Sequence, residues 1–169
     1  MIPFVNPPSV GGGGISQQQA TQIVTAARRQ PVVSIAALKA LTPSAGDAVN
    51  VLGYAAAGDG GGGTFYYDGS SSATENGGTI IAPNSGGGRW IRVYSGPINV
   101  RWFGAKGDGV ADDTTAIVAA INSSGGTPHG ASSIALPGGN FIVSSLDINA
   151  NVNIVGAGRE GTTITVTGF

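Results

Sequence analysis

Residues 98–121 read INVRWFGAKGDGVADDTTAIVAAI. A short β-prone run, INVRWF, passes through a glycine-aspartate turn into an acidic helix start and a short amphipathic helix. The spacing predicts a helix over 112–122, with Ile117, Ala120 and Ile121 on one face. Asp112 or Asp113 caps it, because a carboxylate accepts the N–H groups that a first helical turn leaves unpaired. Asp108 sits in the tight GDG turn before it. These three aspartates are the acidic cluster of the chain. One reading is a catalytic carboxylate pair. The structural reading explains each position without a substrate, as turn and cap residues at the positive end of a helix dipole. A calcium loop is a third reading, although D-G-V-A-D-D lacks the EF-hand spacing.

Downstream lie SSIALP, NFIVSS, LDINA, NVNIVGAG and TTITVTG, all rich in β-branched residues and separated by Gly, Asn and Ser. Short strands at such close spacing suit a parallel β-solenoid, in which each coil buries its inner face on the next. An ordinary sandwich is the alternative. Upstream, AVNVLGY, TFYYD, GGTIIAP and RWIRVYS read as strands broken by glycine-rich turns. They hold Tyr54, Phe65, Tyr66, Tyr67 and Trp90. This concentration of aromatics reads as the core of a small antiparallel domain, with a sugar-stacking platform as the sharper alternative. SIAALKAL, at 34–41, is a short helix capped by Ser34.

Residues 1–14 are rich in Pro and Gly and carry no core of their own. Ile2, Phe4 and Val5 suit an arm that orders on a partner as well as an idle tail. A helix is predicted over 16–30. Ser16 and Gln19 form its capping box, Ile15 precedes the cap, and Ala20, Ile23, Val24 and Ala27 make a narrow apolar face. That face is too small to hold the helix alone, so it needs something to pack on.

Bulk composition narrows the function classes. Glycine accounts for 30 of 169 residues, and charged residues for only 10%, against a usual level of about 25%. Low charge fits a surface largely covered by sister chains. The net charge of −1 offers no footprint for nucleic acid. With no cysteine, disulfides and thiolate metal sites are excluded. The N-terminus lacks the basic and long apolar regions of a secretory signal, and no run reaches the roughly 20 apolar residues of a membrane span. The glycine runs at 11–14 and 60–63 lack the Lys-Ser/Thr of a P-loop. His129, in a GGTPHGAS loop, has no second histidine or cysteine with which to bind a metal, and Arg28–Arg29 reads as a solvated helix end.

FGAKGDGVADDTTAI, IALPGGNFIVSS and VNIVGAG, over 103–158, resemble in linked order the start of right-handed parallel β-helix proteins of the pectate-lyase-like group. VLGYAAAGDGGGGTFYYD, GGTIIAP and RWIRV, over 47–102, resemble the domain that precedes the β-helix in bacteriophage tailspikes. The resemblance implies a virion tail protein whose N-terminal part docks on the tail. It also implies a downstream trimeric β-helix that binds host capsular polysaccharide or lipopolysaccharide, and often cleaves it. The cleaving carboxylates of such proteins lie further into the helix, so the resemblance carries no catalytic residue onto this chain.

The expected architecture is mainly β and homotrimeric: an N-terminal arm and helix over 1–31, a small β-rich domain over 32–97, and the capped start of a right-handed parallel β-helix over 98–169, holding its first turn or two. Ile2, Phe4, Val5, Ile15, Ile23 and Val24 are the expected contacts to tail, baseplate or adaptor proteins. Asp108, Asp112 and Asp113 are the expected helix cap. No cofactor, metal, nucleic acid or membrane insertion is expected. The alternatives are a polysaccharide depolymerase active within this chain and a short, self-contained tail adaptor. Continuation of the reading frame past Phe169 separates the adaptor from a truncated spike.

Overall fold

A computed structural model of the chain describes residues 30–124, 133–146 and 152–168. Its first element is helix α1, Ile35–Ala40, begun by Ser34, whose hydroxyl accepts the Ala37 N–H. Four strands follow: β1 Ala48–Val51, β2 Gly63–Asp68, β3 Ile80–Ile81 and β4 Arg89–Arg92. They form one antiparallel sheet in the order β1-β2-β4-β3. Alternation along the strands sends Val49, Val51, Phe65, Ile81 and Trp90 to one face, where Ile35 and Leu38 of α1 complete the first core. The aromatics Phe65 and Trp90 are thus core, fully removed from water.

The second unit is a stack of coils. Strand β5, Ile98–Asn99, runs into a 3-10 helix, Val100–Phe103, and then strand β6, Asp108–Asp112. Helix α2, Thr114–Ser124, leads to β7 Ser133–Leu136 and β8 Gly139–Val143, and the last pair is β9 Asn153–Gly156 and β10 Thr162–Val166. Strands β5, β7 and β9 pair in parallel as one sheet, and β6, β8 and β10 as another. Each coil therefore gives one strand to each sheet. Side chains directly above one another, Ile98–Ile134–Ile154 in one sheet and Phe141–Ile164 in the other, stack along the axis. Ala116, Ile117, Ala120 and Ile121 of α2 enter the same core, against the 3-10 helix, β5 and β7. The helix so covers the end of the stack, where an open sheet edge invites foreign pairing.

Two stretches differ from the sequence-based expectation. INVRWF is a strand for two residues only. The Asn99 side chain accepts the Arg101 N–H and Gly104 adopts φ 96°, which closes a 3-10 turn instead. The GDG segment, expected as a turn, enters β6 at Asp108. Its pairing with β8 is irregular between Asp108 and Asp112, so the glycine-aspartate kink survives as a bulge within a strand. Parallel partners from a later coil supply the bonds, such as Asn140 N–H to Gly107 O at 2.9 Å and Asp113 N–H to Ile142 O at 2.7 Å. The described residues accordingly hold three levels of paired strands, the first of which carries the capping helix.

Phe141 stands at the centre of the coil core with no exposure. Phe141→Ala is expected to destabilise the chain by about 3 kcal/mol or more, measured by urea unfolding.

Candidate functional site

A densely bonded polar region joins the small sheet to the first coil. It begins with the loop between β1 and β2. The Asp59 carboxylate accepts four backbone N–H groups: Tyr54, Ala55 and Gly61 at 2.8 Å and Ala56 at 3.0 Å. Burial pushes the Asp59 pKa up, but the four bonds outweigh it and hold the group below its ordinary 3.8. The carboxylate thereby winds the loop so that the Gly61 and Gly62 carbonyls face inward.

Arg92 meets them. It is 2% exposed and donates to Gly61 O at 2.8 Å, Gly62 O at 2.7 Å and Gly78 O at 2.9 Å. Its guanidinium lies 4.5 Å from the Phe65 ring and 4.7 Å from the Trp102 ring, an arrangement that favours a cation. It forms no ion pair among the described residues. Desolvation lowers its pKa to about 10, so it remains charged at neutral pH. Phe65 belongs to the sheet and Trp102 to the first coil, and one cation holds both.

A second arginine repeats the pattern. Arg101 donates to Asp59 O at 3.4 Å and to Gly138 O, between β7 and β8, at 2.9 Å. Its Nε is buried with no hydrogen-bond partner among the described residues. Gly78 closes the junction from the other side. A Cβ there would lie 2.5 Å from the buried Phe103 ring, so only glycine admits the ring.

The three aspartates of the cluster do separate work. The Asp108 carboxylate accepts the Val110 and Ala111 N–H groups at 2.9 and 2.8 Å, shaping the bulge. The Asp112 carboxylate accepts the Thr114 N–H at 2.8 Å, at the start of α2. Asp113, 2% exposed, turns its carboxylate away from the helix to the Lys106 and Gly107 N–H groups at 2.6 and 3.0 Å. Only its carbonyl enters the helix, accepting the Ile117 N–H. A shared cap therefore reduces to Asp112, because the kinked strand before the helix has unpaired N–H groups of its own. Gly107 shows how tight this cradle is: at φ 62°, a Cβ would lie 2.8 Å from the Phe141 ring.

Backbone bonds hold the pKa of Asp108 below its ordinary value, and bonds from Thr114 do the same for Asp112. Both are anions at neutral pH, which suits neither to donate a proton as a general acid. No cluster suited to a metal occurs among the described residues. Ile2, Phe4, Val5, Ile15, Ile23, Val24, Arg28, Arg29 and His129 lie outside those residues. Sequence reasoning missed Arg92 and Arg101. The signal for Arg92 was its place two residues after Trp90 in an alternating strand, on the inward face.

Residues 31–95 match the phage tail protein small four-stranded β-sheet domain, and residues 97–169 match the rhamnogalacturonase A/epimerase, pectate lyase-like family. Among curated proteins, the chain is 46% identical over 74 residues to mannuronan C5-epimerase AlgE2 of Azotobacter vinelandii, a match covering 39% of this chain and 7% of that protein. Among solved structures, it is similar to full-length tailspike protein 2 of an Escherichia coli O157:H7 bacteriophage. The TM-score is 0.64 at 26% identity, over 85% of this chain and 18% of that one. The tailspike of Acinetobacter phage vB_ApiP_P1 gives a TM-score of 0.62 at 26% identity, over 80% and 24%. The chain thus spans less than a quarter of each of these relatives. A phage-tail sheet domain followed by pectate-lyase-like coils makes it a tailspike-like component of the virion tail.

Two outcomes are expected. Arg92→Ala strands three carbonyls in the junction and should cost about 3 kcal/mol or more, with Arg92→Lys recovering little because an ammonium cannot fill the flat space between two rings; urea unfolding measures both. Asp59 has a folded pKa below its unfolded value, so its stabilisation is full above about pH 4 and lost as pH falls through the folded pKa. Asp59→Asn should lower stability at neutral pH and flatten the fall in acid, read from melting temperatures across that range.

Proposed function

We propose that this chain is the tail-proximal part of a homotrimeric tailspike, with residues 1–31 as the arm that fastens it to a tail, baseplate or adaptor protein. The observation that carries the reading is the order of parts in one chain: an apolar, Gly-jointed N-terminal segment, then a tail-type sheet domain, then the first coils of a pectate-lyase-like shaft. Ile2, Phe4, Val5, Ile15, Ile23 and Val24 are the proposed contacts. Low charge supports a chain largely covered by its copies.

The downstream shaft is proposed to bind host capsular polysaccharide or lipopolysaccharide and to degrade it. The identity to an epimerase of mannuronan supports a saccharide as the shaft's ligand. These residues themselves supply structure rather than catalysis, since the Asp108 and Asp112 carboxylates are spent on backbone N–H groups.

Deleting residues 1–30 from the spike should leave a folded trimer that no longer enters particles, scored by virion composition. Normal incorporation would sink the anchor reading. In a separate measurement, the 169-residue chain should leave the viscosity of a capsular polysaccharide unchanged; a fall would place a depolymerase within these residues.

A further inference from the structure

A groove of about 800 Å³ runs between the outer face of the small sheet and the C-terminal half of α2. Its floor is a cross-strand row, Tyr66–Ile91–Ile80, on the face opposite the core. Tyr66 is 45% exposed. Asn122 of α2 stands on the far wall, and Asp68 and Glu75 line the groove on the sheet side. The Asn122 amide makes no hydrogen bond among the described residues. Glu75 is fixed by Lys39, whose Nζ lies 2.8 Å from Oε1, and Asp68 by Ser70, whose N–H and hydroxyl both reach Oδ1.

An apolar floor with a tyrosine, ringed by an amide and two carboxylates, matches a ligand with an apolar face and a rim of hydroxyls. A pyranose ring has that form. Its C–H face lies on an aromatic ring, and its hydroxyls pair with amide and carboxylate groups, which act as donors and acceptors in a largely apolar pocket. Charge narrows the class. The charges around the groove balance, Glu75 against Lys39 and Asp68 against Arg92, which also lines it, so the groove offers no net counter-charge to an ionic sugar. We propose that this groove binds a neutral oligosaccharide, stacked on Tyr66 and hydrogen-bonded by Asn122 and Glu75. The site lies on the sheet domain and is distinct from any downstream shaft site. It requires neither tail attachment nor catalysis.

The test is an NMR titration of the 169-residue chain with cellohexaose, maltohexaose and mannohexaose, and with an oligomannuronate of equal length. At least one neutral sugar should shift Tyr66, Ile91 and Asn122 together. Tyr66→Ala should weaken that binding by about tenfold or more, and Asn122→Ala more modestly, with melting temperatures unchanged. The oligomannuronate should bind weakly or not at all. Three results each overturn the proposal: no neutral sugar shifts the groove, binding survives both substitutions, or the oligomannuronate binds as tightly. If Tyr66→Ala alters sedimentation while no sugar binds, the face is instead an interface between copies of the chain. Virion incorporation of the Tyr66→Ala spike reports separately on the anchor.

Discussion

One buried cation organises the junction of the two units. Arg92 sits between an aromatic ring of the sheet and one of the first coil, and its donors reach carbonyls from two loops. A guanidinium without a carboxylate partner is expensive to bury. Here the cost is offset by three hydrogen bonds to fixed carbonyls and by two ring faces. That solution works only while the rings and loops stay in register. The same side chain therefore couples the sheet's inner face, the Asp59 loop and Trp102, and the coil stack begins from a defined orientation.

Glycine and aspartate build what surrounds it. The glycine-rich loops carry little hydrophobic content, yet their carbonyls are the ligands of Arg92 and Arg101, and their missing side chains let Phe103 and Phe141 approach the backbone. Aspartates hold those loops in shape: Asp59 gathers four N–H groups and Asp113 two. A chain with few charged residues thus spends several of them on its own backbone. This leaves an outer surface poor in charge, with an apolar row across the small sheet.

Much of this was legible from the residues. The FGAKGDGVADDTTAI pattern placed the transition into the coils, and the alternating aromatic strands placed the small sheet. Ser34 announced the short helix by its place before an apolar stripe. The roles of individual polar side chains were less legible. Asp108, Asp112 and Asp113 read together as a helix cap, yet the Asp113 carboxylate turns to the Lys106 and Gly107 N–H groups just before the bulged strand. The alternation of RWIRVY puts Arg92 on the face of Trp90, but it does not say which rings and carbonyls enclose the guanidinium there.

By itself, then, the sequence determined what depends on neighbours a few residues apart: strand and helix periods, turn chemistry, the capping serine, and the order of tail-type sheet and coiled shaft. Tertiary structure alone decided what depends on partners apart in the chain: the burial of Arg92 and the bridge made by Arg101, whose hydrogen bonds span 14 to 42 residues, the strand character of Asp108–Asp112, and the groove between sheet and α2. The physical reason is that a backbone carbonyl carries no sequence identity. Whether it receives an arginine is set by where the fold brings it, and the fold of the coils is set in turn by stacking one on the next.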